Sequence, residues 1–217
     1  MKSCSKRKGE KINKKIAIIG GRGTVGKKIS KKALEKGYSI KMLTRYPEES
    51  GSEICFIKGD ARNKEDIKEL IKGCDTVINT VGHPKSEKPF YSAVTSHIIQ
   101  GMKELGIKRY IVATGASLTL NGDEKTFLNQ VGANLFQFFF SPMMKEKEKE
   151  YELLKASSLD WTLIRLPFVV DKKGKGHIKV ATKNMPGKVI TNEDIASFLI
   201  SQLDSKKYIR CTPFISN

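Results

Sequence analysis

A glycine-rich loop between a short apolar run and an amphipathic helical pattern constrains this chain more than any other feature. The apolar run KIAIIG covers residues 15–20, and the loop reads Gly20-Gly21-Arg22-Gly23-Thr24-Val25-Gly26. Residues 24–37 follow with apolar positions spaced three or four apart, which is typical of a helix packed on one side. A buried strand, a tight turn and a helix in this order bring backbone amides to the positive end of the helix dipole. The segment therefore predicts a βα unit that binds phosphate groups.

Three glycines of this loop have separate predicted roles. Gly20 permits the tight turn, Gly23 lets backbone amides approach a pyrophosphate, and Gly26 lets the helix pack close to the strand. Thr24 and Val25 lie in the first helical turn, beside the predicted phosphate site. The alternative, a glycine turn with a purely structural role, remains open.

Strand-like and helix-like patterns alternate along the rest of the chain. Strands are predicted at residues 15–20, 39–43, 53–60, 75–82, 108–115 and 160–170, with a short final one at 208–215. Helices are predicted at about 24–37, 64–72, 90–105, 141–157 and 192–203, and residues 116–140 are irregular. Alternation with short connections predicts an α/β chain with a single Rossmann domain at residues 15–217, in which helices cover both faces of a doubly wound parallel sheet. Residues 1–14 are predicted to form a basic, flexible tail.

Composition excludes several other classes of protein. The chain has 217 residues, 39% of them hydrophobic, which suits one domain with a packed core. No apolar run reaches about 18 residues, and the amino-terminal segment lacks a signal-peptide pattern, so we expect a cytoplasmic protein with no membrane partner. The net charge of +17 is scattered and accompanies no reading motif, so no specific nucleic-acid partner is expected. The cysteines and histidines do not cluster, so no metal site is expected.

The residues after the second and third predicted strands bear on which dinucleotide fits. Arg45 stands about twenty residues after the loop, where an acidic residue would bind the ribose of NAD. A guanidinium there suits a 2′-phosphate, and Arg22 offers a second cation, so NADP(H) is favoured over NAD(H). The alternative is that Arg45 is an ordinary surface residue. Asp60, followed by Ala61, is a candidate acceptor for the adenine amino group.

Three small or polar residues follow the fourth predicted strand. They are Thr80, Val81 and Gly82, and Gly82 would let the backbone pass close to the ribose. An ordinary turn explains each of them equally well when it is taken alone.

The chain resembles atypical short-chain dehydrogenases/reductases, in the NAD(P)H-binding, NmrA-like branch that includes flavin reductase (biliverdin-IXβ reductase). The resemblance covers residues 14–215 and depends on IAIIGGRGTVG, MLTR, the GD at 59–60, KRYIVATGASL, LLKASSLDWTLIRLPFVVD and GKVITNEDIASFLI. It implies cofactor contacts from the loop, from Arg45 and from the residues after the third and fourth strands. It also implies that five further residues lie near the nicotinamide: Ala113, Thr114, Pro167, Phe168 and Val169.

The same resemblance shows where catalytic groups are missing. Gly115 replaces a serine, with Ser117 two places further on, and Phe168 replaces a histidine. Tyr151 and Lys155 match the spacing of a Tyr/Lys pair, but they lie in the later half of their helix.

Aligning that helix on DWTLIRLP instead places Lys147 and Met143 in the register of the Lys and Tyr. Catalytic residues are therefore unknown; Lys147, Ser117 and His83 are candidates. For Lys147, a solvated face of KEKEKE is the alternative.

These observations predict an NADP(H)-binding oxidoreductase that transfers hydride from NADPH to a flavin, a quinone or a similar planar small molecule. FMN and FAD are candidate substrates, and the aromatic cluster Phe136, Phe138, Phe139 and Phe140 is a candidate wall for a flat ring. Core packing or a dimer contact explains that cluster equally well, and both a monomer and a homodimer remain open. The alternative function is a non-catalytic regulatory protein of the NmrA-like type that senses NADP(H).

Overall fold

A computed structural model describes residues 14–46, 53–82, 87–124, 131 and 139–217. The helices in these ranges are α1 (Thr24–Glu35), α2 (Lys64–Ile71), α3 (Tyr91–Glu104), α4 (Ser141–Ala156) and α5 (Asn192–Ser201). The strands are β1 (Lys15–Ile19), β2 (Ser39–Thr44), β3 (Ile54–Lys58), β4 (Thr76–Asn79), β5 (Arg109–Gly115), β6 (Asp160–Leu166), β7 (Phe168–Val170), β8 (Lys179–Ala181), β9 (Val189–Thr191) and β10 (Phe214–Ser216).

Eight of these strands form one sheet in the order β3-β2-β1-β4-β5-β6-β10-β8. Neighbouring strands are parallel except for β10 and β8, which are antiparallel. The chain moves outward from β1 to β3 and then returns to place β4 on the other side of β1. This reversal is the switch point at which open α/β sheets bind ligands, outside the carboxyl ends of the strands. The predicted Rossmann fold is confirmed.

Helices pack on both faces of the sheet because the strand side chains alternate between two cores. Ala17 and Ile19 of β1 point to the core covered by α2, α3 and α4. Ile16 and Ile18 point to the core covered by α1 and α5. All four of these side chains are buried, as expected for a central parallel strand.

The sixth strand is shorter than predicted. The sequence pattern predicts a strand at residues 160–170, but β6 ends at Leu166. Pro167 has no backbone N–H to donate, and the chain then leaves the large sheet. Phe168–Val170 instead pairs with Val189–Thr191 in a second, two-stranded parallel sheet. The sequence pattern did not predict β8 or β9, which have three residues each.

The ends of the chain also differ in detail from the prediction. Of the predicted strand 208–215, only Phe214 and Ile215 belong to β10, and Cys211 forms an isolated parallel bridge with Thr162. Arg210 has a φ of 55°, which an extended strand does not allow. Lys14, predicted as part of the tail, contacts the fold: its carbonyl accepts from Ser39 N at 3.1 Å, and its Nζ lies 2.6 Å from Asp204. Residues 1–13 lie outside the described residues, so the division into tail and domain stays a prediction.

None of the helices in the described ranges combines the length and the apolar character that crossing a bilayer requires.

Candidate dinucleotide site

A cleft of about 310 Å³ opens where the carboxyl ends of β1 to β4 meet, at the switch point of the sheet. Eight of the residues predicted to bind a cofactor line it: Gly20, Arg22, Gly23, Arg45, Asp60, Ala61, Val81 and Gly82. The topology explains this convergence, because each of these residues follows a parallel strand and all four strands end at the same edge.

Gly20 and Gly26 are glycines for reasons that the backbone explains. Gly20 has a φ of +81°, and a Cβ there would lie 2.7 Å from the carbonyl carbon of Thr80. A Cβ on Gly26 would collide with the Gly20 carbonyl oxygen and lie 2.5 Å from Gly21 Cα. Any side chain at either position would therefore push the loop away from β4 or from α1.

Gly23 is less constrained by the fold, because a side chain there would require only a small backbone shift. Its φ of −68° and ψ of 167° are open to any residue, and the nearest atom to an added Cβ is Gly20 O at 3.3 Å. Gly23 is the N-cap of α1, no side chain caps that helix, and its first turn holds no acidic residue. Gly23 lines the cleft, so α1 begins at the cleft wall with no negative side chain in its first turn, which fits a bound diphosphate. Thr24, Val25 and Gly26 lie in that first turn and do not line the cleft.

Two arginines lie where β2 ends. Arg22 donates from Nη1 to the Tyr46 carbonyl at 2.7 Å, which places the loop arginine beside the end of β2. Arg45 is exposed, and its side chain makes no hydrogen bond to any residue in the described ranges. Two guanidinium groups at this point, with no carboxylate on the described residues 45–46 that follow β2, suit a phosphate on the adenosine ribose better than a bare hydroxyl pair.

Asp60 is held by a residue that the sequence interpretation missed. Arg62 donates from Nε to Asp60 Oδ1 at 2.9 Å and from Nη2 to Asp60 Oδ2 at 2.5 Å. The side-chain hydrogen bond from Arg62 holds the pKa of Asp60 below its usual value.

Arg62 also reaches across the cleft. It donates from Nη1 to Glu87 Oε2 at 2.9 Å, and its guanidinium lies 5.5 Å from the centre of the Phe90 ring. Arg62, Glu87 and Phe90 all line the cleft. The one sequence signal for this group is that Arg62 stands two positions after Asp60.

The residues expected near the nicotinamide lie further along the same sheet edge and do not line the cleft. Ala113 and Thr114 are near the end of β5, and Pro167 follows β6. Phe168 and Val169 are 81% and 44% exposed. Thr80 also does not line the cleft; its N–H donates to Ile19 O at 3.0 Å and so joins the end of β4 to β1.

Two of the three catalytic candidates, Lys147 and Ser117, lie in the described residues, and neither lines the cleft. Lys147 is only 8% exposed; its Nζ lies 2.9 Å from Glu150 Oε2 and 3.5 Å from the centre of the Tyr91 ring. The alternative that the KEKEKE segment is a solvated face is therefore wrong for Lys147 and Glu150, because both lie on the buried stripe of α4. Ser117 follows β5, with Oγ 3.6 Å from Met144 Sδ. His83, Phe136 and Phe138 lie outside the described residues.

Tyr151 lies at the far end of the fold from the cleft. Its ring packs edge-on against Trp161, with the two ring centres 6.1 Å apart. Trp161 is the second residue of β6, so this contact is at the amino edge of the sheet. Lys155 is paired with Glu152 at 3.1 Å on the same helix. The Tyr151/Lys155 spacing is therefore a chance match to the Tyr/Lys pattern.

Comparison with known proteins identifies the family of the chain. A family model described as NAD(P)H-binding matches residues 20–206. The mouse sterol-4-alpha-carboxylate 3-dehydrogenase (decarboxylating) is 27% identical over 115 residues, which cover 50% of this chain and 32% of that protein. The chain spans about a third of the length of the first curated relatives it matches.

Two solved structures show the same fold. A wide-type short-chain dehydrogenase/reductase from Veillonella parvula, in complex with NADP, superposes with a TM-score of 0.75 at 17% identity, covering 95% of each chain. The Escherichia coli O157:H7 protein ChuY, described as an anaerobillin reductase, gives a TM-score of 0.77 at 15% identity, covering 93% of this chain and 96% of that one. The chain thus belongs to the NAD(P)H-binding family, as its motifs predicted.

Proposed function

We propose that this chain is an NADPH-dependent oxidoreductase that passes hydride to a planar acceptor such as a flavin or a quinone. The observation that carries the proposal is the cleft at the switch point, where an uncapped helix N-terminus and two arginines lie together. The names of the relatives, a dehydrogenase and a reductase, support the reaction class. The NADP in the Veillonella parvula structure supports the choice of cofactor.

The residues of the cleft fit the parts of the dinucleotide one by one. The amides of the first turn of α1, left open by Gly23, would hold the diphosphate. Arg45 and Arg22 would hold the 2′-phosphate, and Asp60 would accept from the adenine amino group through the part of its carboxylate that Arg62 leaves accessible. When bound, NADPH supplies a hydride at its nicotinamide ring. The work of the protein is to orient the two rings and exclude water between them.

Two features favour a planar acceptor over a simple carbonyl compound. Met143 stands in the register of the tyrosine that typical short-chain dehydrogenases use, and a thioether cannot donate a proton to an alkoxide. Phe139, Phe140 and Phe168 are large exposed apolar side chains, at 67%, 49% and 81% exposed. Phe168 stands two residues after the end of β6, and apolar rings beside a nicotinamide site suit a flat, conjugated molecule.

The test is steady-state oxidation of NADPH with FMN, FAD and a series of quinones, run beside a direct titration of NADPH binding. We expect saturable binding and turnover with at least one planar acceptor, and slower turnover with NADH. Aliphatic ketones should give no turnover. Binding without turnover for every acceptor would refute the reductase and would support the alternative, a protein that senses NADP(H).

A further inference from the structure

Outside the cleft, a row of buried polar side chains crosses the core between the sheet and helices α3 and α4. They come from α4, α3, β5 and β4, and none is more than 8% exposed. We call this row the polar chain; its members are Lys147, Glu150, Thr95, Tyr110 and Asn79.

The polar chain is continuous from a charge pair on α4 to the middle of the sheet. Lys147 Nζ donates to Glu150 Oε2 at 2.9 Å, and Thr95 Oγ1 donates to Glu150 Oε1 at 2.9 Å. Thr95 Oγ1 lies 3.2 Å from the Tyr110 hydroxyl. Asn79 Nδ2 donates to that hydroxyl at 3.0 Å. Every link is within hydrogen-bond distance.

The last link leaves the core and reaches the cleft. The backbone N–H of Val81 donates to Asn79 Oδ1 at 3.0 Å, and Val81 lines the cleft together with Gly82. The position of this loop matters at the glycine turn, because Gly20 already approaches Thr80 so closely that a Cβ would lie 2.7 Å from the Thr80 carbonyl carbon.

Each hydrogen bond in the polar chain has a fixed direction. A carboxylate only accepts, so the Thr95 hydroxyl hydrogen is directed to Glu150, and the Tyr110 hydroxyl must donate to Thr95. Asn79 then donates from its NH₂ group to the Tyr110 hydroxyl oxygen, and its carbonyl oxygen accepts from the Val81 N–H. If the amide were flipped, its NH₂ group would face the Val81 N–H, and two donors would oppose each other. Burial raises the pKa of Tyr110, which keeps its hydroxyl protonated for this role.

A buried ion pair is weak as a source of stability, since the cost of removing both charges from water offsets their attraction. A fully satisfied buried network does fix geometry, because all its donors and acceptors must be matched together. We propose that the polar chain positions the loop at Val81 and Gly82 for the dinucleotide, with Glu150 as the fixed acceptor at its other end. The members are positioning residues: none of them lines the cleft.

Thr95 is the sharpest place to test this, because it lies on α3, is fully buried and does not line the cleft. Thr95→Val keeps the shape and removes the hydroxyl, whereas Thr95→Ser keeps the hydroxyl. Thr162→Val is the matched control, since Thr162 is a fully buried threonine near the amino end of β6 whose hydroxyl donates to Tyr208 O. All four proteins, parent included, are compared as full chains for NADPH dissociation constant and thermal midpoint.

Thr95→Val removes the hydrogen bonds to Glu150 and Tyr110. We expect the equivalent of one hydrogen bond to be lost at the loop, and about 0.5–1.5 kcal/mol should raise the NADPH dissociation constant by roughly 2- to 12-fold at 1.4 kcal/mol per tenfold. Thr95→Ser should return it to within about twofold of the parent. Thr162→Val should lower the thermal midpoint and leave the dissociation constant unchanged. Unchanged binding in a folded Thr95→Val protein, or an equal loss in Thr162→Val, would overturn the proposal.

A second readout needs no cofactor. Amide hydrogen exchange at Val81, measured without cofactor, should be faster in Thr95→Val than in the parent. It should also be faster in Tyr110→Phe, which interrupts the polar chain one link nearer the cleft. Thr162→Val should leave the exchange rate unchanged. If neither interrupting variant folds, the network is a stability element and the proposal fails. The proposal rests on the proposed dinucleotide site, and a parent chain that binds neither NADPH nor NADH would refute that site before any variant is compared.

Discussion

The glycine loop contains two glycines that backbone packing requires and one that ligand binding explains better. Gly20 and Gly26 are required by close backbone contacts, whereas a Cβ on Gly23 would meet only Gly20 O among the described residues, at 3.3 Å. The absence of a side chain at Gly23, the N-cap of α1, has a physical reason if a ligand occupies the space that the side chain would fill. Two substitutions in one loop should therefore have opposite consequences.

Gly23→Asp should abolish dinucleotide binding while the fold remains intact. Aspartate is a preferred N-cap residue, so α1 should not be weakened, but its carboxylate would oppose the diphosphate at the helix end. Thermal unfolding and an NADPH titration measure the two effects separately. Gly23→Asn is the uncharged control of the same size and should bind more tightly than the aspartate variant. NADPH affinity equal to that of the parent in Gly23→Asp would contradict the site.

Gly26→Ala should act on the fold. The added Cβ collides with Gly20 O and lies 2.5 Å from Gly21 Cα, so α1 must move away from β1. Overpacking of this kind costs about 1–3 kcal/mol. Urea unfolding of Gly26→Ala beside Gly23→Ala measures that cost, since a Cβ on Gly23 meets its nearest atom only at 3.3 Å. Equal stability of the two alanine variants would show that α1 does not need this close approach.

Arg45→Ala should reduce the preference for NADPH. Losing a charge-assisted contact of about 1.5–3 kcal/mol lowers NADPH affinity by roughly 10- to 150-fold. NADH lacks the 2′-phosphate, so its affinity should change little. Arg22 shares the site and affects the size of the loss but not its direction.

Lys103→Ala is the control for net charge, because Lys103 is exposed at the end of α3, on the opposite edge of the sheet. An equal loss for NADPH and NADH in Arg45→Ala would mean that Arg45 does not select the cofactor.

At the scale of elements, α4 shows how a sequence match can mislead. Tyr151 and Lys155 have the right spacing for catalysis, yet the helix carries them to the amino edge of the sheet. Tyr151→Phe should change NADPH turnover by less than about threefold, whereas loss of a general acid costs about 10²–10⁴-fold. Rate measurements over a pH series check this. A loss of a hundredfold or more would show that Tyr151 reaches the substrate.

Elements with strong periodicity could be predicted, and pieces with little periodicity could not. Buried runs such as KIAIIG and the glycine caps after helices gave β1 and α1 nearly to the residue. Three-residue strands such as β7 and β9 have no period to detect, and their parallel pairing depends on the path of the chain through residues 171–188. The buried stripe of α4 had a signal that was overlooked: Met144, Lys147, Glu150 and Leu154 recur at helical spacing.

The site follows the same division. Gly20, Arg45 and Asp60 each follow a strand, so topology alone brings them to the cleft. Arg62 and Glu87 belong to no motif, and their meeting across the cleft depends on side-chain conformations that single-sequence reasoning does not reach.

For the molecule as a whole, charge sets the response to acid. Hydrogen bonds from Arg62 to Asp60 and from Lys14 to Asp204 lower the pKa of these carboxyls in the folded chain. A carboxyl whose folded pKa is lowered adds stability that is complete above its unfolded value, near 3.9, and disappears as the pH falls through the folded value. Protonation also increases a net charge that is +17 at pH 7.

The thermal midpoint should therefore change little between about pH 8 and 6 and fall progressively below about pH 5. Asp204→Asn should be less stable than the parent at pH 7, and the difference should shrink as the pH approaches 3. Calorimetry over a pH series at fixed ionic strength measures both. A difference that grows at acid pH would contradict the assigned direction of the pKa shift.

The central claim is that the cleft at the switch point holds NADPH in preference to NADH. Fluorescence titration of the reduced nicotinamide with the full chain, run with both dinucleotides at one ionic strength, tests it most directly. We expect saturable binding of one NADPH per chain, at least about tenfold tighter than NADH, because the arginines at the end of β2 would contact only the phosphorylated ribose. Tighter binding of NADH, or no saturable binding of either dinucleotide, would contradict it.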